Sequence, residues 1–239
     1  MTDANGLFGL AVDTVRLMQI PGLVPSLLVV GVGYPDAEAV IDTVEIRARD
    51  LTPTPNRHFP GSGHADAFIE FVSSELRPWL AGRFPNAVGD ATYFGHSLGG
   101  LFGAYTLLTA SSTFDRYIVS SPSLWWDGEV IFDIERERAD TDRLRSEVFF
   151  GIGSLETDAG RRREALNLAD GHPAKPPPVH LDMVDDIRRF AAQLAARSDP
   201  TLQISRVEIV DEFHATVPGV VLNRALRSFY STTEEDREI

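Results

Sequence analysis

Cysteine is absent from this 239-residue chain, which excludes disulfides, a thiol nucleophile and thiolate metal sites. No apolar run approaches the length that crosses a bilayer. The N-terminus has no basic stretch followed by an apolar core, so no secretory leader is expected and the cytoplasm is the expected compartment. Positive charge is scarce: 22 Lys and Arg against 35 Asp and Glu leave a net charge of −13. That balance argues against nucleic acid and anionic membrane as partners. It says little about a small substrate, for which local charge decides. The six histidines show no ligand spacing such as H-E-x-x-H, so no metal and no cofactor is expected. No internal repeat stands out.

What is present is a folding pattern. Apolar runs rich in β-branched residues occur at Ser26–Val32, Ala91–Phe94, Tyr117–Ser120, Glu147–Ile152 and Leu202–Val210. Each is short and bounded by Gly, Pro or Ser, as buried parallel strands are. Helical spacing fills the intervals: Leu7–Met18, Ala65–Leu80, Leu101–Ala110, Leu181–Ala196 and Pro218–Tyr230. Strands alternating with helices predict one α/β domain over residues 1–231, a mostly parallel sheet with helices on both faces. The acidic end, Thr232–Ile239, is expected to fray. Asp133–Arg145 is densely charged with mixed sign and reads as a solvated helix face. Thr157–His180 is long for a connection and reads as a lid or binding loop.

Residues Gly95-His96-Ser97-Leu98-Gly99-Gly100 follow one of these strands and precede a helical run. A strand that turns sharply into a helix strains its corner residue, and the chain on either side must pack closely, so glycine is needed two residues away in both directions. Gly95 and Gly99 stand there. The strain lifts the Ser97 hydroxyl clear and leaves the Leu98 N–H near a helix N-terminus to meet an oxyanion. The competing reading is a glycine-rich turn with an idle serine.

A serine hydroxyl needs a base, and the base an orienting acid. In strand–serine–helix hydrolases the chain order is Ser, then Asp or Glu, then His, each beyond the C-terminal end of a strand. His214 meets that condition after the Leu202–Val210 run. His180 and His172 lie in or beside the Pro-rich loop, His58 and His64 precede the serine, and the His96 side chain should point away from that of Ser97. The acid should follow Glu147–Ile152, where Glu156 is first choice and Asp158 the reserve. Either could instead be a helix N-terminal carboxylate, a reading stronger for Asp158.

With these residues placed, the chain resembles the α/β-hydrolase superfamily. Within it the chain is similar to the predicted-esterase group that includes enterobactin-type siderophore esterases, with antigen-85-type mycolyltransferases more distant. The matching segments are Val29–Pro35, Ile46–Pro53, Gly95–Gly100, Ser120–Trp126, Gly153–Glu156, and His214 with Thr216–Pro218. The resemblance implies Ser97 as nucleophile, His214 as base and Glu156 as orienting acid. It also implies a second oxyanion N–H from Asp3–Gly6, with Asn5 the best candidate. The substrate expected is a small or bulky ester cleaved through an acyl-enzyme, with acyl transfer or a non-catalytic binding role as alternatives. Tyr34, Arg47, Trp125 and Trp126 are candidates for substrate contact. Arg47 and Arg49, with Arg161–Arg163, would form a cationic rim suited to catecholate or carboxylate groups. The competing readings are core packing for the tryptophans and surface pairing for the arginines.

Relatives of this kind open with two antiparallel strands and a third ending in Leu-Asp-Gly. Here Met1–Phe8 resembles the tail of that third strand. The expectation is a gap in the sheet between Ser26–Val32 and Ala91–Phe94, with unpaired backbone on both flanks. Such a gap should lower stability or drive self-association through the exposed edge.

Overall fold

The computed structural model of the chain describes residues 1–35, 43–87, 89–139, 143–166 and 181–231. Among these, four strands form one wholly parallel sheet: β1 (Thr92–His96), β2 (Arg116–Ser120), β3 (Ser146–Gly153) and β4 (Leu202–Ile209), side by side in chain order. Parallel neighbours need crossovers, and helices supply them. The helices are α1 (Ala4–Gln19), α2 (Val44–Leu51), α3 (Ala65–Phe71), α4 (Arg77–Arg83), α5 (Leu98–Thr109), α6 (Trp126–Arg138), α7 (Asp158–Ala165), α8 (Met183–Ala196) and α9 (Pro218–Tyr230). A π-helical turn at Val72–Leu76 joins α3 to α4, so the predicted Ala65–Leu80 helix is one continuous rod with a bulge.

Strand side chains alternate between two cores. Tyr93, Tyr117, Val119, Val148 and Phe150 pack with α5, α6 and α8. Phe94, Ile118 and Phe149, one residue out of phase, pack with α1 and α9. Both faces of the sheet are therefore covered, which is why its strands read as continuous apolar runs rather than alternating ones. Helix α5 runs through the middle of the larger core, and every residue from Leu98 to Leu108 is buried.

One predicted strand is not a strand. Ser26–Val32 runs alongside the sheet but joins no ladder among the described residues. Its last residues pair instead with the start of the chain. The Met1 amino group donates to the Val30 carbonyl (2.8 Å), Val32 N–H to Met1 C=O (2.9 Å) and Ala4 N–H to Val32 C=O (3.1 Å). A cavity of about 540 Å³ is lined by Leu27 and Val29 of this stretch and by Tyr93 and Phe94 of β1, among others. Apolar periodicity marked this stretch as buried and extended, but pairing depends on a neighbour that periodicity does not report. The tail expected over Thr232–Ile239 and most of the Pro-rich loop lie outside the described residues.

The first residues also brace the centre of the fold. Asp3 adopts a left-handed conformation (φ 59°, ψ 38°) at the start of α1. Its carboxylate takes two hydrogen bonds from Arg47, at 2.6 Å from Nε and 3.0 Å from Nη2. Both side chains are buried. Breaking such a pair leaves a desolvated charge and costs about 3–5 kcal/mol, whereas replacing both partners with apolar groups is close to neutral. Asp3→Ala should therefore lower the thermal midpoint by several degrees, and Asp3→Leu with Arg47→Met should recover most of it, as followed by circular dichroism.

Candidate active site

The C-terminal edge of the sheet carries the candidate residues. Strand β1 ends at His96, and Ser97 turns the chain into α5 with φ 59° and ψ −117°. A residue with a Cβ rarely occupies that region, and holding it there costs on the order of 1–3 kcal/mol. The surroundings enforce it. Ser97 N–H donates to Ser120 C=O (3.0 Å), and Ser97 C=O accepts from Leu101 (3.0 Å) and Ser123 (3.1 Å). A Cβ at Gly95 would collide with the Gly99 carbonyl, and one at Gly99 with the Thr2 hydroxyl. Gly95 is thus required by close backbone approach, and Gly99 by the side chains of Thr2 and Asp3 packed against it. Leu98 is the first residue of α5, so its N–H has no acceptor within the helix.

Strand β3 leads into the turn that carries Glu156. Its last residue, Gly153, passes so near the Glu212 carbonyl that a side chain would not fit. The turn that follows buries Glu156 completely. Its Oε1 accepts hydrogen bonds from Ser121 Oγ (2.7 Å) and Gly153 N–H (2.8 Å), and Oε2 meets His214 Nδ1 at 2.6 Å. Burial pushes the Glu156 pKa up. The His214 imidazole, the Ser121 hydroxyl and the Gly153 N–H outweigh burial and hold the carboxyl below its ordinary value. Asp158, the reserve acid, opens α7 instead, where it pairs with Arg162 (2.8 Å) and accepts from Leu181 N–H.

His214 sits on the loop between β4 and α9, as expected, with 16% of its side chain exposed. That loop is tied to the acid's turn by Leu155 N–H to Glu212 C=O (3.2 Å) and Asp211 N–H to Ser154 Oγ (3.0 Å). The His214 ring rests on His96, the residue before Ser97, with centroids 4.4 Å apart. The Ser97 hydroxyl lies 3.4 Å from the Ser123 hydroxyl.

Three serines that the sequence marked only as part of a distinctive segment converge here. Ser120 meets His96, Ser121 meets Glu156 and Ser123 meets Ser97. Their signal was position alone: Ser120-Ser121-Pro122-Ser123 ends β2 beside the elbow. Ser121 takes φ 41° to turn its hydroxyl toward Glu156.

The outlying candidates divide. Asn5 stands in the first turn of α1 and clasps the Tyr34 backbone from both sides, accepting from its N–H (2.8 Å) and donating to its C=O (2.9 Å). The Ala4 and Gly6 N–H groups are spent on Val32 and Asp3 carbonyls. Tyr34 itself is half-buried; burial and the nearby Asp50 and Asp3 carboxylates push its phenol pKa up. Trp126 is not a substrate contact. It is wholly buried, stacks near Phe59 (5.1 Å) and donates to Thr54 C=O. Trp125 keeps an exposed part. The cationic rim does not form: Arg47 is buried against Asp3, Arg49 pairs with Asp50, Arg161 with Glu164 and Arg162 with Asp158. Surface pairing accounts for Arg49 and Arg162, whereas Arg47 is paired inside the fold. His172 and His180 lie outside the described residues. Among the described residues no group of His, Asp and Glu could hold a metal ion, and no helix is long and apolar enough to cross a membrane.

A strained strand–serine–helix corner on a parallel sheet, with a carboxylate-bound imidazole at its side, defines an α/β hydrolase. The chain belongs to the putative esterase family, whose profile matches residues 24–198, and is a carboxylic ester hydrolase. It is 30% identical over 237 residues to the siderophore triacetylfusarinine C esterase of Aspergillus fumigatus, covering 96% of this chain and 80% of that one. It is 28% identical over 244 residues to the ferri-bacillibactin esterase BesA of Bacillus subtilis, covering 95% and 76%. The solved structure of the siderophore hydrolase EstB from Aspergillus nidulans matches with a TM-score of 0.77 at 26% identity, covering 98% and 82%.

A carboxyl whose folded pKa is depressed stabilises the fold above its unfolded value and ceases to as pH falls through the folded one. Glu156 should therefore contribute fully above its ordinary value of 4.5 and lose its contribution below it. Removing the imidazole in His214→Ala should raise that pKa and move the loss to higher pH. Urea unfolding across pH 3–7 in the two proteins measures the displacement.

Proposed function

We propose that the protein is a serine esterase acting on siderophore-type esters, with Ser97 as nucleophile, His214 as base and Glu156 as the acid that orients it. The observation that carries this reading is the 2.6 Å bond between a fully buried carboxylate and His214 Nδ1. That bond commits Nδ1 to the acid and turns the opposite nitrogen, Nε2, to proton transfer.

His214 Nε2 takes the Ser97 hydroxyl proton as the oxygen attacks the ester carbonyl carbon. The Leu98 N–H receives the developing oxyanion, with a second donor from the start of α1, where Thr2 and Asp3 lie against Gly99. His214 then protonates the departing alkoxide, and the acyl group remains on Ser97. Water, deprotonated by His214, attacks the acyl-enzyme and releases the acid. Glu156 stays ionised throughout and stabilises the imidazolium, in keeping with its depressed pKa. The names of the relatives support the substrate class, and esters of catecholate and hydroxamate siderophores are the compounds to test.

Liquid chromatography with mass detection, applied to bacillibactin, enterobactin and triacetylfusarinine C, tests the reading. The protein should release linear ester fragments, Ser97→Ala should release none, and Glu156→Gln should retain about 10⁻³ to 10⁻⁴ of the turnover. Products esterified to an added alcohol, in place of the free acid, would show acyl transfer instead. Undiminished cleavage by Ser97→Ala would refute the assignment.

A further inference from the structure

Glu156 grips His214 through one ring nitrogen, and a ring held at one atom can still pivot about that bond. Its segment, between β4 and α9, belongs to neither a helix nor a strand. The opposing ring is His96, whose centroid is 4.4 Å from that of His214 at a tilt of 39°. His96 is the last residue of β1 and pairs in register with Ser120 of β2, so its backbone is fixed by the sheet. Its own ring is fixed as well, because Nδ1 meets the Ser120 hydroxyl at 3.0 Å and Ser120 is wholly buried.

We infer that His96 is a positioning residue: the sheet-anchored ring against which the His214 imidazole seats, setting its approach to Ser97. This rests on the serine-esterase reading above and adds to it a residue that neither attacks nor transfers a proton. His96 is adjacent in sequence to the nucleophile and adjacent in space to the base, so a single rigid residue fixes the separation of the two. It does not compete as the base, since the carboxylate goes to His214. Burial, then the neighbouring His214, Arg47 and Arg161, lower the His96 pKa well below its usual value. A neutral ring is what an imidazolium on His214 can be seated against without repulsion.

The rings meet at a 39° tilt and His96 also hydrogen-bonds the His214 backbone; the seating is ascribed to the ring, which its replacement by other side chains isolates. The test is steady-state hydrolysis of 4-nitrophenyl butyrate by the full chain carrying His96→Ala, His96→Asn or His96→Phe, with melting temperatures measured alongside. Ala and Asn, which remove the ring, should lower kcat by about 10–100-fold with KM changed no more than about twofold. Phe, which keeps a ring, should stay within about fivefold of the parent. Were Ala not to fold, the contrast between Asn and Phe decides. Equal losses in Asn and Phe, an unchanged kcat in Asn, or a loss that disappears on cooling below the variant's melting range would each overturn the inference. Ser97→Ala and His214→Ala in the same assay keep the two readings apart: turnover surviving in those variants sinks the site assignment, whatever His96 does.

Discussion

The backbone at Ser97 cannot relax without dismantling the centre of the molecule. Its positive φ is held by three backbone hydrogen bonds, to Ser120, Leu101 and Ser123, and by glycines that let the chain close to contact on either side. The constraint is two-sided. The sheet fixes the residue before the corner, and the buried helix α5 fixes the residues after it. Strain at one residue costs little beside the burial of an entire helix, so the hydroxyl stays raised. The remaining features of the site follow the other strands: the serine turn after β2, Glu156 after β3 and His214 after β4.

Each of those loops lies at the C-terminal end of its strand, where a parallel sheet gathers its crossovers. Residues scattered from 96 to 214 become neighbours for that reason alone. The hydroxyls of Ser120, Ser121 and Ser123 link the end of β2 to the ends of β1 and β3. Ser121 and Gly153 both donate to one oxygen of the buried Glu156, which leaves its second oxygen for His214. A carboxylate so satisfied is held in one orientation.

Much of this was legible before any coordinates. The glycine spacing around Ser97, the placement of His214 beyond a strand and of Glu156 after another follow from chain order and steric need. The four sheet strands and the helix Pro218–Tyr230 were read from apolar runs and periodicity. What the sequence hid were properties of pairs. Trp126 gave no sign that it would turn into the core and not the cleft. Arg47 gave none that its partner would be Asp3, 44 positions away. Ser26–Val32 carried a strand's composition without a strand's neighbour. The ring contact between His96 and His214 is likewise a property of a pair, and chain order gives no sign of it.

The measurement that bears most directly on the central claim is the site of covalent capture by a fluorophosphonate. The intact protein, treated with diisopropyl fluorophosphate, digested and sequenced by tandem mass spectrometry, should carry one adduct, on Ser97. Capture should slow by orders of magnitude once His214 is replaced by alanine. An adduct on Ser123 or on any other serine, or capture at the same rate without His214, would contradict the account.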